Sequence, residues 1–368
     1  MGANGSACWT SVETNRTDDN GVNSNAKATR SIPYLVLRLH FVTSSTADSF
    51  MGARPLSRRF RALVQPGVLK ATRNSNPAYA NLLGGLGRIQ GNPLRNPQTE
   101  RVRRLIGRDH PRRGGRMRLR NKTAIVTGGG AGIGEAIALR YALEGARVVV
   151  AEINPPRGKS TVDAIHKQGG QGIFVPTDVS SEEQVKRMVE SAIETFGRVD
   201  ILVNNAAILI PQGEGRVHEL TNEVWDRTIN TNLRGYWLCA KYTIPYMLKQ
   251  GKGSIILVAS RTGIRGFTGL AAYSASKGGV LALMRSMAAD YARDGIQVNA
   301  IVPGTMDTPM NAEGLSDPGV RAKYVSRIPA GRLGVGADIA GMATFLATEE
   351  ASFCIGGVYM VDGGADLG

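Results

Sequence analysis

The strongest constraint on the fold is a junction near residue 122. A β-branched apolar run, Lys122-Thr-Ala-Ile-Val-Thr127, passes without a spacer into Thr127-Gly-Gly-Gly-Ala-Gly-Ile-Gly134, and that turn opens an apolar-periodic stretch from Gly134 to Glu144. A second strand-like run, Arg147 to Ala151, follows at once. The same alternation continues to the end of the chain. Gly172–Val175, Ile201–Val203, Ser254–Val258, Gln297–Ile301 and Val358–Val361 read as strands, separated by helical stretches over Glu182–Phe196, Asn222–Gln250, Ala275–Asp294 and Asp338–Thr348. Alternating strands and helices predict a parallel sheet of about seven strands with helices on both faces, because each crossover must carry its helix to one side. Residues 117–368 are expected to form one such α/β domain.

Residues 1–116 have a different texture. They carry 19 Lys+Arg against 6 Asp+Glu, whereas residues 117–368 carry 26 against 24. The net charge of +15 therefore belongs to the front third and says little about what the rest binds. No helical or strand period is sustained there, and the extension is expected to be disordered. Four origins are weighed for it, in this order. It is an overlong gene model, with Met117 the true start; it is an organelle transit peptide, being Arg-rich and acid-poor over residues 51–116; or it is a basic arm contacting nucleic acid. The Met1-Gly-Ala-Asn-Gly-Ser6 pattern for myristoylation is not adopted, since no second anchor accompanies it. A membrane span needs about 20 apolar residues and none is present near the N-terminus. Three dispersed cysteines, Cys8, Cys239 and Cys354, suit a reducing compartment without structural metal. The expected location is the cytoplasm, with organelle import as the alternative.

The glycine turn carries chemistry. Glycines between a strand and a helix let a pyrophosphate approach the helix N-terminus, whose free N–H groups and dipole stabilise its charge. Eighteen residues past Gly134 the second strand ends in Val148-Val-Val-Ala-Glu152. A carboxylate there would bond the adenosine ribose hydroxyls and repel a 2′-phosphate, favouring NAD over NADP. Arg157, nearby, could hold such a phosphate instead. Further on, Tyr273-Ser-Ala-Ser-Lys277 places a phenol and an ammonium four residues apart on one helix face. A fixed ammonium favours phenolate and would bring the phenol toward a useful pKa. Ser260 follows the Ser254–Val258 strand, at the strand's C-terminal end where ligands gather in open sheets.

Together these motifs resemble the short-chain dehydrogenase/reductase family over roughly Arg118 to Gly368. They occur in the family's order: Thr127-Gly-Gly-Gly-Ala-Gly-Ile-Gly134, Asp178, Asn204-Asn-Ala-Ala207, Asn232, Ser260, Tyr273-x-x-x-Lys277 and Pro303-Gly304. The resemblance implies a Rossmann-like fold and a catalytic tetrad of Asn232, Ser260, Tyr273 and Lys277, with Asn232 preferred to Asn230 because it precedes Leu-x-Gly. It also implies a cofactor-contact set: Thr127, Gly128, Gly130, Gly132, Ile133, Gly134, Glu152, Asp178, Val179, Asn205, Ala206, Tyr273, Lys277, Pro303, Gly304, Met306 and Thr308. In the implied roles Tyr273 takes the alcohol proton, Ser260 steadies the oxygen, Lys277 serves the phenol and the nicotinamide ribose, and Asn232 positions a water that passes the proton outward. Asp178 would meet the adenine, and Thr308 the carboxamide. Three positions depart from the family's pattern: Ala207 stands for a glycine, Ala259 for a serine, and Arg261 for a small residue.

The family's substrate lid maps to Thr305–Ile328, where Met306, Met310 and Leu315 fit either an apolar wall or a packed loop. The expected activity is NAD-dependent interconversion of a secondary alcohol and a ketone. Two alternatives stand beside it: reduction of a 3-oxoacyl thioester, kept open by Arg261 and Arg265, and a non-catalytic nucleotide- or RNA-binding role. A homotetramer is implied, with a dimer as its rival, built from the helices Asn222–Gln250 and Ala275–Asp294 and the C-terminal Gly357–Gly364. Leu281, Leu283, Met284 and Met287 are read as apolar surplus for that assembly.

Overall fold

The computed structural model describes residues 117–210 and 213–367. The expectations for residues 1–116 fall outside that range. Seven strands, β1 (Thr123–Thr127), β2 (Arg147–Glu152), β3 (Gln171–Pro176), β4 (Ile201–Asn204), β5 (Gly253–Val258), β6 (Ile296–Pro303) and β7 (Val358–Val361), form one sheet in the order β3-β2-β1-β4-β5-β6-β7. Every pairing is parallel. The order reverses between β1 and β4, which opens a crevice at the carboxyl ends of those two strands.

The strands are buried on both faces, so their sequences run nearly continuously apolar. Alternate residues still serve different layers. Ile125, Leu202, Ile255 and Leu257 face one core with helices α3 (Glu182–Phe196), α5 (Gly235–Gln250) and α6 (Ala271–Tyr291). Ala124, Val126, Ile201, Val203 and Ile256 face the other, with α1 (Gly132–Leu143) and α8 (Gly336–Leu346). A third, small cluster packs Leu315 and Ile328 of the 305–328 segment with Leu333 and Ala365.

Two helices escape the sequence reading. Helix α2 (Pro155–Lys167) begins with two prolines and holds Gly158, residues that give no helical signal in the sequence. Proline is at home in a first helical turn, where its missing N–H costs nothing, and Asn154 caps the helix by accepting from the Arg157 N–H. Helix α7 (Pro318–Ser326) lies inside the expected lid. The stretch expected as one helix over Asn222–Gln250 is continuous but interrupted in its winding. Helix α4 (Asn222–Ile229) passes into a π-helical turn, Asn230–Arg234, before α5.

The apolar surplus expected for assembly is a correction. Leu281, Met284 and Met287 are buried in the subunit's own core, and Leu283 packs against it. Of the residues proposed for the lid wall, Met306 and Leu315 are buried while Met310 is exposed.

Candidate active site

The cofactor end is a cradle of backbone. Gly128 and Gly132 hold left-handed conformations, with φ of +61° and +58°, which glycine adopts without a Cβ penalty. Three partners approach too closely to leave room for side chains. A Cβ on Gly134 would lie 2.1 Å from the Gly128 carbonyl oxygen, one on Gly128 would lie 2.9 Å from Ala206 Cα, and one on Gly130 would lie 2.6 Å from Glu152 Cγ. Thr308 stands across from Gly132. The first turn of α1 thus opens onto a groove bounded by the ends of β2, β4 and β6, which fits a dinucleotide laid across the switch point.

Glu152 is buried at the edge of this groove. Its Oε2 accepts from Gly130 N–H at 3.1 Å and its Oε1 from Asn154 N–H at 3.0 Å. Arg157 is exposed, with its Cβ beside Gly130. Asp178 Oδ1 accepts from the Ser180 N–H and hydroxyl, and Val179 is buried against Gly235. Gly304 N–H donates to Val361 O, extending the β6–β7 pairing one residue past Pro303.

Two residues of the implied contact set have side chains that brace the turn. Thr127 is fully buried, and its hydroxyl donates to Val203 O while accepting from Asn205 N–H and Ala206 N–H. Asn205 Nδ2 donates to Thr127 O and Gly128 O. A hydroxyl with three internal bonds has nothing left to offer a ligand; both side chains lock the β4 end to the glycine turn.

The reaction end is made of side chains. The Ser260 hydroxyl lies close enough to the Tyr273 phenol to lower its pKa. Gly263, three residues after Ser260, packs directly on the backbone at Lys277, which presses this loop onto α6. Lys277 is buried, donating to Val258 O at 2.9 Å and to the Tyr236 hydroxyl at 3.3 Å. Its ammonium stands 5.8 Å from the Tyr273 ring centroid and 5.1 Å from that of Tyr236. Burial dominates both groups. It pushes the Tyr273 phenol up to about 12, against the opposing bond from Ser260, and pulls Lys277 down to about 7. Desolvation favours the neutral form of each, beside whatever pull the ammonium exerts on the phenol when charged.

Asn232 lies in the π turn with no exposed surface. Its Oδ1 accepts from Ile208 N–H at 2.8 Å, and its Nδ2 donates to Ile208 O and to Ser276 Oγ. What this amide does directly is tie the segment after β4 to helix α6.

Three residues were missed. Tyr236, four after Asn232, touches the lysine. Glu214, set between two glycines, accepts from Ala272 N–H and Tyr273 N–H. Asp366 pairs with Arg265 at 3.0 Å and lies 4.0 Å from Arg261, whose guanidinium also donates to Thr305 Oγ1 and Ala365 O. Among the described residues no His/Cys/Asp/Glu group is arranged to hold a metal, and no helix is long and apolar enough to cross a membrane.

A family model described as "Enoyl-(Acyl carrier protein) reductase" matches residues 128–366. An uncharacterized oxidoreductase of Bacillus subtilis is 42% identical over 253 residues, covering 67% of this chain and 92% of that protein. A 3-oxoacyl-[acyl-carrier-protein] reductase of Thermotoga maritima is 38% identical, covering 67% and 99%. The crystal structure of a putative NAD(P)-dependent gluconate 5-dehydrogenase from Beutenbergia cavernae, with NADP bound at low occupancy, superposes with a TM-score of 0.65 at 36% identity, covering 69% of this chain and all of that one. With the glycine cradle, the Ser260–Tyr273 pair and the buried lysine in place, these matches show that the chain belongs to the short-chain dehydrogenase/reductase family and is an NAD(P)-dependent oxidoreductase.

Proposed function

We propose that the enzyme interconverts a secondary alcohol and a ketone with NAD. One observation carries this reading: the buried Lys277 ammonium stands 5.8 Å from the Tyr273 ring, with the Ser260 hydroxyl near the phenol, and the glycine cradle lies at the neighbouring strand ends. Tyr273 exchanges the proton of the substrate oxygen, and Ser260 holds that oxygen by its hydroxyl. Lys277 stands where its charge, when present, favours phenolate. Gly128, Gly130, Gly132, Ile133 and Gly134 would receive the pyrophosphate, Glu152 the ribose diol, Asp178 and Val179 the adenine, Ala206 the adenosine face, and Pro303, Gly304, Met306 and Thr308 the carboxamide end. The bound nicotinamide supplies the hydride acceptor. Excess NAD with a panel of secondary alcohols, followed at the NADH absorbance, tests the reading; no turnover across sugar acids, polyols, cyclic alcohols and steroids would sink it.

NAD is favoured over NADP because the Glu152 carboxylate lies against Gly130, where a 2′-phosphate would meet a like charge. Arg157 is the residue on which the opposite preference would rest. Reduction of a 3-oxoacyl thioester is the second reading, favoured by the Thermotoga relative. Against it, Arg265 is paired with Asp366 and Arg261 is largely buried, so neither arginine is free to dock an acidic carrier. A 3-oxoacyl thioester in the same panel separates the two.

A homotetramer remains the proposed assembly. Its support moves from the buried α6 residues to exposed apolar ones on the two surfaces named for contact: Trp225 and Trp237 on α4 and α5, and Phe353, Ile355 and Met360 around the edge strand β7. Light scattering decides it; a one-subunit mass at micromolar concentration would end the proposal. Cys239 and Cys354 are free thiols, which supports a reducing cytoplasmic setting that cell fractionation can test.

A further inference from the structure

Helix α6 begins at Ala271, and Leu270 at its cap offers no side-chain acceptor. The first N–H groups of a helix have no partner within it and must find one elsewhere. Here the partner comes from 58 and 59 residues upstream. Glu214 Oε1 accepts from Tyr273 N–H at 2.9 Å, and its Oε2 from Ala272 N–H at 3.3 Å. The carboxylate is half-buried between Gly213 and Gly215. Gly215 and Val217 form one wall of a cleft of about 400 Å³, and Thr262, Ile264, Phe267 and Leu270 form the other. Ala271 and Ser274, which flank Tyr273, also line it.

We propose that Glu214 is a positioning residue for the reaction, its carboxylate tying the wall of this cleft to the backbone of Tyr273 so that the segment following β4 sets where the phenol stands. The inference rests on Tyr273 being the acid–base. A Ser or Asp at position 270 would satisfy the same N–H groups locally. Supplying the acceptor from the cleft wall instead makes the phenol's placement depend on that wall, and hence on whatever orders it. The charge has its own effect. An anion at the first turn offsets the positive end of the α6 dipole next to Tyr273. It therefore opposes phenolate, whereas Lys277 on the same helix favours it. The other groups facing the phenol are the Ser260 hydroxyl from the loop after β5 and the Tyr236 phenol from α5.

The test compares Glu214→Gln and Glu214→Ala in the full chain. Steady-state kinetics, the pH profile of kcat and NADH affinity by fluorescence are read together with hydrogen exchange at the Ala272 and Tyr273 amides and the ¹³C shift of the Tyr273 phenol carbon. Glu214→Ala should lower kcat on the order of tenfold and raise KM, as misplacement of a reacting group does, leave NADH affinity unchanged, and speed exchange at both amides. Glu214→Gln keeps an acceptor oxygen and loses the charge. It should restore most of kcat and move the alcohol-oxidation limb to lower pH. A Glu214→Ala protein with wild-type kcat, KM and pH profile overturns the proposal. So does one that loses only melting temperature, because that is an ordinary structural cap. Failure of the oxidoreductase reading itself would show as a wild-type protein inactive on the whole panel. In that case unchanged amide exchange and phenol shift in Glu214→Ala overturn this inference independently, and altered values uphold the coupling.

Discussion

The two ends of the groove are built by opposite means. At the cofactor end the protein works by leaving side chains out: Gly128, Gly130 and Gly134 each stand where a Cβ would strike a neighbour. At the reaction end it works by burying side chains that water would otherwise keep ionised or exposed. Lys277 is 1% exposed, and its pKa falls to about 7 while that of Tyr273 rises to about 12. A backbone cradle is rigid and indifferent to pH. A buried pair is costly and responsive to pH, and the response is what a proton-transfer step needs.

The sharpest way to break this contrast is Tyr273→Phe. Removing the phenol should cut kcat by about 10³-fold, within the usual span of acid–base contributions, and leave NADH affinity nearly unchanged. Steady-state rates with a fluorescence titration check it; wild-type kcat in the Phe variant would remove Tyr273 from the chemistry. Lys277→Met tests the cost. Burial lowers the lysine from 10.5 to about 7 in the folded chain, so between those values the unfolded chain binds the proton more readily. The penalty is full below pH 7 and fades as pH rises toward 10.5. The Met variant should therefore be inactive yet melt higher than wild type at pH 7, with the gain vanishing near pH 10.5. Calorimetry across that range reads it, and an equal melting temperature at pH 7 would contradict a buried, destabilised ammonium.

The cofactor end should respond in affinity and not in pH. Replacing Glu152 with Ser and the exposed Ile153 with Arg should shift preference toward NADP by tenfold or more, about 1.4 kcal/mol per decade. Wild-type protein that already uses NADPH better than NADH would refute the role given to Glu152. The smallest effect belongs to Tyr236→Phe. Its hydroxyl accepts from the Lys277 ammonium and so favours the charged lysine, which in turn favours phenolate. Losing it should lower kcat a few-fold and move the alcohol-oxidation limb to higher pH, opposite to Glu214→Gln. A pH–rate profile unchanged from wild type would reduce Tyr236 to packing.

The sheet and the glycine turn were legible because their signals are local. Strand and helix periods run along the chain, and the spacings of Thr127–Gly134 and Tyr273–Lys277 lie within a few residues. The proline-led start of α2 was illegible because Pro155-Pro156 and Gly158 speak equally for a turn until Asn154 is seen capping a helix. Glu214, Tyr236 and Asp366 act across long separations on backbone or side chains of other elements, and no spacing rule reaches them. The braces Thr127 and Asn205 show the converse. Their motif reads as a ligand loop, and only the structure shows the Thr127 hydroxyl and the Asn205 amide nitrogen bonded inside the protein.

The π turn at Asn230–Arg234 holds one surplus residue between two stretches of one helix. Gly235 N–H bonds back to Asn230 O, five residues away, so one residue is wound in without advancing the helix by a regular step. Deleting Thr231 would let the stretch relax to ordinary α-helix. The surplus residue adds no net rotation, so side chains beyond the deletion would keep their angular phase relative to those before it, while those inside the turn would shift by one residue, about 100°. Tyr236 would still face Lys277 and Trp225 would keep its place, but Asn232, inside the turn, would lose its seat against Ile208. The extra residue thus aims one buried amide without disturbing the helix on either side.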